Sequence, residues 1–279
     1  MKKISAIMLV LVLVMKSSVL LGMGVATQTK KIYAQDETIY KTTLRGGNEI
    51  EVLTERINFH RRESLRRLTN PALPSYGVGF NCGATSGAII IAYFNRIFPT
   101  LIPGHVAGMQ LGNHFIWAPE LSSPLLLNMF SEIHQLMGGQ NGVTQQMFLS
   151  GLTTYVTSRG LSFGTTIAHT GPNHINLEFI NSIQHNRPVA MFFRDSFNIV
   201  ENMRGIERFP DHDIVRLTQL AGNHVMTAYG YYMVQYFDVN NRMFRQDTYL
   251  YINSGFGELV RTRINTHTTI SNAFSINIW

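Results

Sequence analysis

The sequence predicts an α+β protein in which a helical half precedes a half built from antiparallel strands. Before Gly160, apolar residues recur at helical spacing in several blocks. Beyond it, shorter apolar runs alternate with polar residues and are separated by glycine, proline and asparagine, which is typical of strands. The chain is 45% hydrophobic and 11% aromatic, which is enough for a sizeable core. This composition suits one large domain or two lobes.

Four helices are predicted, at residues 82 to about 97, 124–137, 143–159 and 175–185. Pro99 ends the first of them, because proline cannot continue a helix. Pro124 suits the first turn of the second helix, and Ser123 before it is a suitable N-cap. Gly160 follows the third helix and marks the change to β structure.

Strands are predicted at residues 161–168, 188–193, 224–234 and 247–252, and the tail at 259–278 is β-rich. The strand at 188–193 is almost wholly apolar. Residues 102–119 and 197–213 carry no clear periodicity and are predicted to be loops.

The N-terminus is predicted to be an export signal that covers residues 1–34. Lys2 and Lys3 form its charged start, and residues 4–14 are almost wholly apolar. Lys16 splits the apolar stretch, so neither half reaches the roughly 20 residues that a spanning helix needs. The mature protein is therefore expected to be secreted or in the cell envelope. A retained membrane anchor is the alternative.

The charge of the chain argues against nucleic acid as a partner. The formal net charge is +6, but lysines at 2, 3, 16, 30 and 31 all precede the first acidic residue, Asp36. The mature chain is close to neutral and has no excess of basic residues for binding phosphates. The single cysteine excludes an internal disulfide, so this thiol is either buried or kept for reactivity.

A polar segment at residues 35–70 precedes the main domain, which is predicted to span residues 71–279. Residues 49–68 have a helix-like pattern, and four arginines fall among residues 61–67. These arginines are interpreted as a solvated helix face. The segment is either a polar N-terminal extension or a short pro-segment.

Cys82, which opens the first predicted helix, is the candidate nucleophile. The unpaired N–H groups and the positive dipole end of a helix N-terminus favour thiolate over thiol. A cysteine nucleophile needs a base, and His224 stands at the head of a predicted strand. The imidazole needs a third group to fix its orientation. Asn253 closes the next predicted strand and enters a glycine turn, so neighbouring antiparallel strands would bring it beside His224.

The order Cys82, His224, Asn253 and the residues around each position resemble the papain-like cysteine peptidases. The Asn-Cys-Gly-Ala-Thr sequence at 81–85 is similar to that of secreted bacterial members, with a distant similarity to bacteriocin-processing peptidases and streptopain. The Asn-Ser-Gly-Phe-Gly sequence at 253–257 looks like the family's Asn-Ser-Trp-Gly segment. The interval of 142 residues between the cysteine and the histidine also falls in the family's usual range.

The resemblance implies a papain-like fold, with the cysteine on a helical lobe and the other two residues on an antiparallel sheet lobe. It implies hydrolysis of peptide bonds through a thioester acyl-enzyme. Cys82 would be the nucleophile, His224 the general acid and base, and Asn253 the orienting residue. The expected partner is a protein or peptide substrate. No cofactor, metal, nucleic acid or membrane partner is expected for the mature chain.

One departure from the family concerns the oxyanion hole. The family usually supplies a glutamine a few residues before the cysteine, but no glutamine occurs between Gln35 and Cys82. The backbone N–H of Cys82 is one donor, and the side chains of Asn81 and Tyr76 are candidates for the second. The missing glutamine favours an alternative, a secreted binding or adhesion module that keeps the fold without turnover.

Other chemistries stay open on the same residues. A transferase could use the same thioester as a hydrolase. A thiol-dependent cell-wall amidase would also pair a helix-start cysteine with a strand histidine, although at a much shorter interval. The Asp-His-Asp sequence at 211–213 is interpreted as a solvated loop, since three adjacent residues in a regular element cannot all face one ion.

Overall fold

The computed structural model describes residues 37–43, 49–76, 81–118, 123–139, 142–170, 177–200, 205–255, 259–264 and 270–279. Within those ranges the protein has four α-helices and fourteen β-strands, and most of the strands follow the helices. This arrangement confirms the α+β class. The predicted signal peptide, residues 1–34, lies outside the described residues.

The four predicted helices are present. They are α1 (Cys82–Asn95), α2 (Pro124–Leu136), α3 (Gln145–Ser158) and α4 (Leu177–Gln184). α1 ends earlier than predicted because the Asn95 side chain donates to the carbonyl of His105 (3.2 Å) and accepts from the N–H of Ile102 (2.8 Å). Ser123 occupies the N-cap position of α2 without a side-chain capping bond, whereas Thr144 does cap α3.

The strands include those predicted and several that were not. They are β1 (Glu37–Thr43), β2 (Glu49–Asn58), β3 (Arg61–Leu68), β4 (Gly108–Leu111), β5 (His114–Trp117), β6 (Phe163–Thr170), β7 (Val189–Phe193), β8 (Ser196–Val200), β9 (Ile206–Arg208), β10 (His212–Ala221), β11 (His224–Phe237), β12 (Met243–Asn253), β13 (Leu259–Ile264) and β14 (Ile270–Ile278). The predicted strands correspond to β6, β7, β11 and β12, and the β-rich tail contains β13 and β14.

All described strands except β4 and β5 belong to one sheet of twelve strands. Its main path runs β1-β2-β10-β8-β13-β12-β11-β7-β14-β6, with β3 beside β11 and β9 beside β10. The described pairings are antiparallel, and part of the sheet curls into a half-barrel. β11 is long enough to pair with β7 along its first half and with β3 along its second half.

The prediction of a helix over residues 49–68 is wrong, because β2 and β3 occupy this stretch. β2 pairs with β10 and β3 pairs with β11, so partners far along the chain override the local helical pattern. From residue 54 to residue 58 of β2 the burial alternates, with Glu55 and Ile57 buried between less buried neighbours. The polar segment therefore supplies strands to the same sheet as the rest of the protein.

Both predicted loops also contain strands. Residues 102–119 include β4 and β5, and residues 197–213 include β9 with parts of β8 and β10. β4 and β5 have four residues each and β9 has three. Strands this short show too little alternation to be detected in a sequence, and only their pairing partners define them.

The central strands β7 and β11 are buried on both faces. The residues of these two strands that pack with α1, α2 and α3 are Ala190, Phe192, Val225 and Tyr229. Those that pack with α4 are Met191, Phe193, Met226 and Ala228. This alternation follows the pleat of the strands. α1, which is buried from Gly83 to Asn95, packs against one face of the sheet. Among the described residues, no helix has the length and apolar composition needed to cross a membrane.

Candidate active site

α1 begins at Cys82, so the thiol lies at a helix N-terminus as the sequence predicts. Asn81 has extended backbone angles (φ −157°, ψ 128°), and its side-chain oxygen accepts hydrogen bonds from the N–H groups of Gly83 (2.9 Å) and Ala84 (3.4 Å). Asparagine is among the strongest N-caps. The cap fixes where the helix starts, and therefore where the sulfur of Cys82 lies.

The sulfur of Cys82 is half-buried among backbone N–H groups. Burial raises the pKa of this thiol above its ordinary value, and the N–H groups of Val225, Gly83 and Cys82 itself act in the opposite direction. Val225 is the second residue of β11, directly after His224. The contact therefore places the thiol against the head of the strand that carries the candidate base.

Further contacts hold the first turns of α1 against the ends of β11 and β12. The hydroxyl oxygens of Ser86 and Thr227 are 2.5 Å apart, and Thr227 is paired with Asn253 at the end of β12. Beyond that end, Gly255 has φ +82°, and a Cβ on it would lie only 2.9 Å from Cγ2 of Thr85. Glycine is required there for its left-handed backbone and for the close approach of the turn to α1. These contacts bring together the start of α1, the start of β11 and the end of β12.

His224, the first residue of β11, is anchored by a backbone carbonyl. Its Nε2 donates a hydrogen bond to the carbonyl oxygen of Ser254 at 3.1 Å. Burial lowers the pKa of His224 from the ordinary value of 6.5 to about 4, and the bond to Ser254 acts in the opposite direction. The imidazole is therefore neutral at neutral pH. A neutral ring that donates from Nε2 carries its lone pair on Nδ1, which is the form a base requires.

Asn253 is buried at the end of β12, and its side chain holds the turn together. Its Nδ2 donates to the carbonyl of Pro74 (2.6 Å), and its Oδ1 accepts from the N–H of Gly255 (2.9 Å). The group that accepts from the imidazole Nε2 is thus the carbonyl of the next residue, Ser254. The structure brings Asn253 to the site, and its described bonds fix the turn that presents this carbonyl.

The two candidates for the second oxyanion donor lie on the approach to α1. Asn81 adjoins Cys82 and uses its side-chain oxygen in the helix cap, so only its NH₂ group could donate to an oxyanion. Tyr76 is buried in the core, with its hydroxyl 3.4 Å from the carbonyl of Ala118. Asn81 is therefore the better placed of the two.

Two groups of the candidate site cannot be predicted from residue types because both are backbone atoms. The carbonyl of Ser254 orients the imidazole, and the N–H of Val225 contacts the sulfur. Backbone groups leave no residue-type signature. The only usable signal for the first is the Asn-Ser-Gly sequence at 253–255, which is typical of a turn closed by an asparagine side chain.

A second polar cluster lies at the far end of β11 and includes part of the Asp-His-Asp sequence. The interpretation of this sequence as a solvated loop is wrong for Asp213, which is buried on β10, bonded to Arg62 and to the hydroxyl of Tyr236 (3.0 Å). Asp211 is exposed and lies beside the His212 ring (2.8 Å). In the part of the chain that the structure describes, no group of three or more His, Cys, Asp or Glu residues is arranged to hold a metal ion.

Comparison with protein-family models, with curated proteins and with solved structures finds no match for this chain.

Proposed function

We propose that this protein is an exported papain-like cysteine peptidase, with Cys82 as nucleophile and His224 as general acid and base. The observation that carries the proposal is the packing of the start of α1 on the start of β11, where the hydroxyl oxygens of Ser86 and Thr227 are 2.5 Å apart and the N–H of Val225 lowers the pKa of the Cys82 thiol. It brings the thiol to the head of the strand that carries His224, 142 residues after Cys82 in the sequence. The expected substrate is a protein or peptide.

In the first step, Nδ1 of His224 takes the thiol proton while the sulfur of Cys82 forms a bond to the substrate carbonyl carbon. The π electrons of the carbonyl move to its oxygen. The oxyanion then collapses, the C–N bond breaks, and the imidazolium returns the proton to the leaving amine. Water attacks the thioester with the imidazole as base, which releases a carboxylic acid and restores the thiol.

Backbone and turn groups support these steps. The N–H of Cys82 lies against the sulfur, so it can donate to an oxyanion that forms on the carbon bonded there. The carbonyl of Ser254 holds the imidazole from Nε2 and stabilises the imidazolium that forms. Asn253 acts as a positioning residue, because its two hydrogen bonds fix the turn that contains Ser254.

The protonation states of His224 and Cys82 predict turnover over a broad pH range. His224 is neutral above about pH 4, and the thiol of Cys82 keeps its proton to above its ordinary pKa. Between these limits the pair holds one proton in total, whichever atom carries it at a given moment. We expect turnover to fall only on the acid side near about pH 4 and on the alkaline side above the ordinary pKa of a thiol.

A second candidate is a secreted binding or adhesion module without turnover. The specific observation that favours it is the burial of Cys82, which raises the pKa of the thiol. A buried thiol without help from a base would be inert. A transferase that passes the acyl group to an amine shares every step up to the thioester and would be separated by product analysis.

The test is the rate of alkylation of Cys82 by iodoacetamide and by a peptidyl epoxide, between about pH 5 and 9. Wild type, Cys82→Ala, His224→Ala and, as a matched control, His60→Ala, an exposed histidine, are compared. We expect epoxide labelling of Cys82 at about pH 6, at least tenfold slower in His224→Ala and unchanged in His60→Ala.

Labelling that rises only towards about pH 8–9 and ignores the His224→Ala change would overturn the peptidase and leave the binding module. If labelling depends on His224, a peptide library is then screened, with Cys82→Ala as the inactive reference.

A further inference from the structure

The hairpin formed by β4 and β5 has two apolar faces. Residues that pair across antiparallel strands share a face, and the pairs Met109–Ile116 and Leu111–His114 therefore form one side. Phe115 and Trp117, which alternate with His114 and Ile116 along β5, lie on the other face, together with Gln110 opposite Phe115. Antiparallel sheets with one buried face normally present polar residues on the opposite one.

The inner face of the hairpin is fixed to the protein. The indole Nε1 of Trp117 donates to the carbonyl of Ala72 (2.8 Å), and the ring lies 6.2 Å from that of Tyr93 in α1. Phe115 packs edge-on against Trp117, with ring centroids 4.7 Å apart. These contacts account for the apolar side chains on this face, and they hold the hairpin in one position.

The outer face is not covered by any described part of the chain. The exposed fractions are 65% for Met109, 62% for Leu111 and 49% for Ile116, and Val106, just before β4, is 73% exposed. A Cβ at Gly112, in the turn, would have no atom within 4 Å, so the tip projects into open space. Exposed apolar groups clustered in this way mark interaction sites.

The apolar surface continues onto α2. A Cβ at Gly104 would lie 3.5 Å from Cδ1 of Leu125. The segment before β4 therefore lies close to this helix. Leu125 is itself exposed. No Asp, Glu, Lys or Arg occurs from Ile97 to Pro119, and the exposed His114 is the polar side chain on the outer face. We name the surface formed by the exposed apolar side chains of this segment and Leu125 the hairpin surface.

We propose that the hairpin surface docks on a lipid bilayer, inserting its apolar side chains at the level of the headgroups. The tip has no Asp, Glu, Lys or Arg, so none of these charges is desolvated in this layer, and the His114 ring would meet the polar headgroups. A second copy of the chain fits less well, because a stable interface uses about 20–30 residues on each side. The hairpin surface offers five exposed apolar side chains: Val106, Met109, Leu111, Ile116 and Leu125.

The inference is independent of the proposed peptidase activity. From the sequence, no membrane partner is expected for the mature chain, since no second hydrophobic span follows the signal. Docking at a surface needs no span, only apolar side chains that project from a folded protein. The proposal therefore departs from the expectation that the mature chain has no membrane partner.

The first test places a fluorescent reporter on the hairpin surface. Leu111→Trp is compared with Val239→Trp, whose position is 77% exposed in the turn between β11 and β12. Both are mixed with phosphatidylcholine vesicles that contain dibrominated acyl chains. Wild type, which has Trp117 and Trp279, gives the native quenching to be subtracted, and we expect strong additional quenching and a blue shift in Leu111→Trp only. Because the readout is local, it holds even if the N-terminal apolar segment also binds the vesicles.

The second test measures partition of the full chain into unbrominated phosphatidylcholine vesicles. Leu111→Gln should lower the partition coefficient about tenfold, and Val239→Gln should leave it unchanged. Both positions are exposed, so circular dichroism and the urea midpoint should not change and serve as folding controls. Equal quenching at both positions, or no quenching, would overturn the proposal. So would concentration-dependent dimerisation that is abolished by Leu111→Gln, which would assign the surface to a second copy.

Discussion

The burial of His224 makes the stability of this protein depend on pH in a way that can be measured. The pKa of the imidazole is about 4 in the folded protein, against an ordinary value of 6.5 in the unfolded chain. Between these values the unfolded chain binds the proton and the folded protein does not, so the free energy of unfolding falls as the pH falls. Each unit of pKa is worth about 1.4 kcal/mol, and the expected loss between about pH 7 and pH 4 is about 3 kcal/mol.

The measurement is urea unfolding followed by circular dichroism, at several pH values across this window. Carboxylates titrate there too, so the quantity to compare is the difference between wild type and His224→Gln. Between about pH 7 and pH 4, wild type should lose about 3 kcal/mol of unfolding free energy relative to His224→Gln. His60→Gln, at an exposed histidine, is the control for replacing a histidine. A difference between wild type and His224→Gln that stays constant with pH would refute the burial of the imidazole on which the assignment of a neutral base depends.

Three further substitutions, at Asn253 and Arg245, test the turn after β12 and the ion pairs that Arg245 of β12 makes with Glu55 and Asp247. Asn253→Asp keeps the acceptor for the Gly255 N–H and loses the donor to the Pro74 carbonyl, whereas Asn253→Ala loses both. We expect destabilisation by about 1–3 kcal/mol and slower alkylation of the cysteine for alanine, and a larger loss for aspartate, because its buried oxygen would face the Pro74 carbonyl oxygen without a donor. Stability and alkylation like those of wild type in both variants would contradict the role of this turn. Arg245→Met removes the cation that bonds the buried carboxylates of Glu55 (2.6 Å) and Asp247 (2.9 Å). It should cost about 3 kcal/mol in urea unfolding, and a loss similar to that of an exposed arginine variant would show that the network is not structural.

The helices, and the positions of Cys82, His224 and Asn253 at the ends of their elements, were predictable because they depend on local signals. α1 follows from an unbroken apolar run with an asparagine cap in front and a proline behind, and these features act within a few residues. The placement of Cys82 at its first residue follows from the same signals. β7, β11 and β12 follow from the density of β-branched and aromatic residues within each run.

The strands at 49–68 were not predictable from the same kind of signal. Glutamate, leucine and arginine are good helix formers, and in a short peptide these residues would favour a helix. They form β2 and β3 because β10 and β11 offer edges with matching register, from residues that come much later in the chain. The short β4 and β5 are defined in the same way, by their pairing with each other.

The sequence by itself determined the α+β class, the helix that presents Cys82, the strand that begins at His224 and the strand that ends at Asn253. Each depends on contacts within one element, whose energies are set by neighbours in sequence. Only the tertiary structure decided which groups meet: the Val225 N–H at the sulfur, the Ser254 carbonyl at the imidazole, and the outward apolar face of the β4–β5 hairpin. Backbone groups are the same in every residue, and the exposure of a side chain depends on what packs over it. Both are therefore fixed by the packing of distant segments rather than by local sequence.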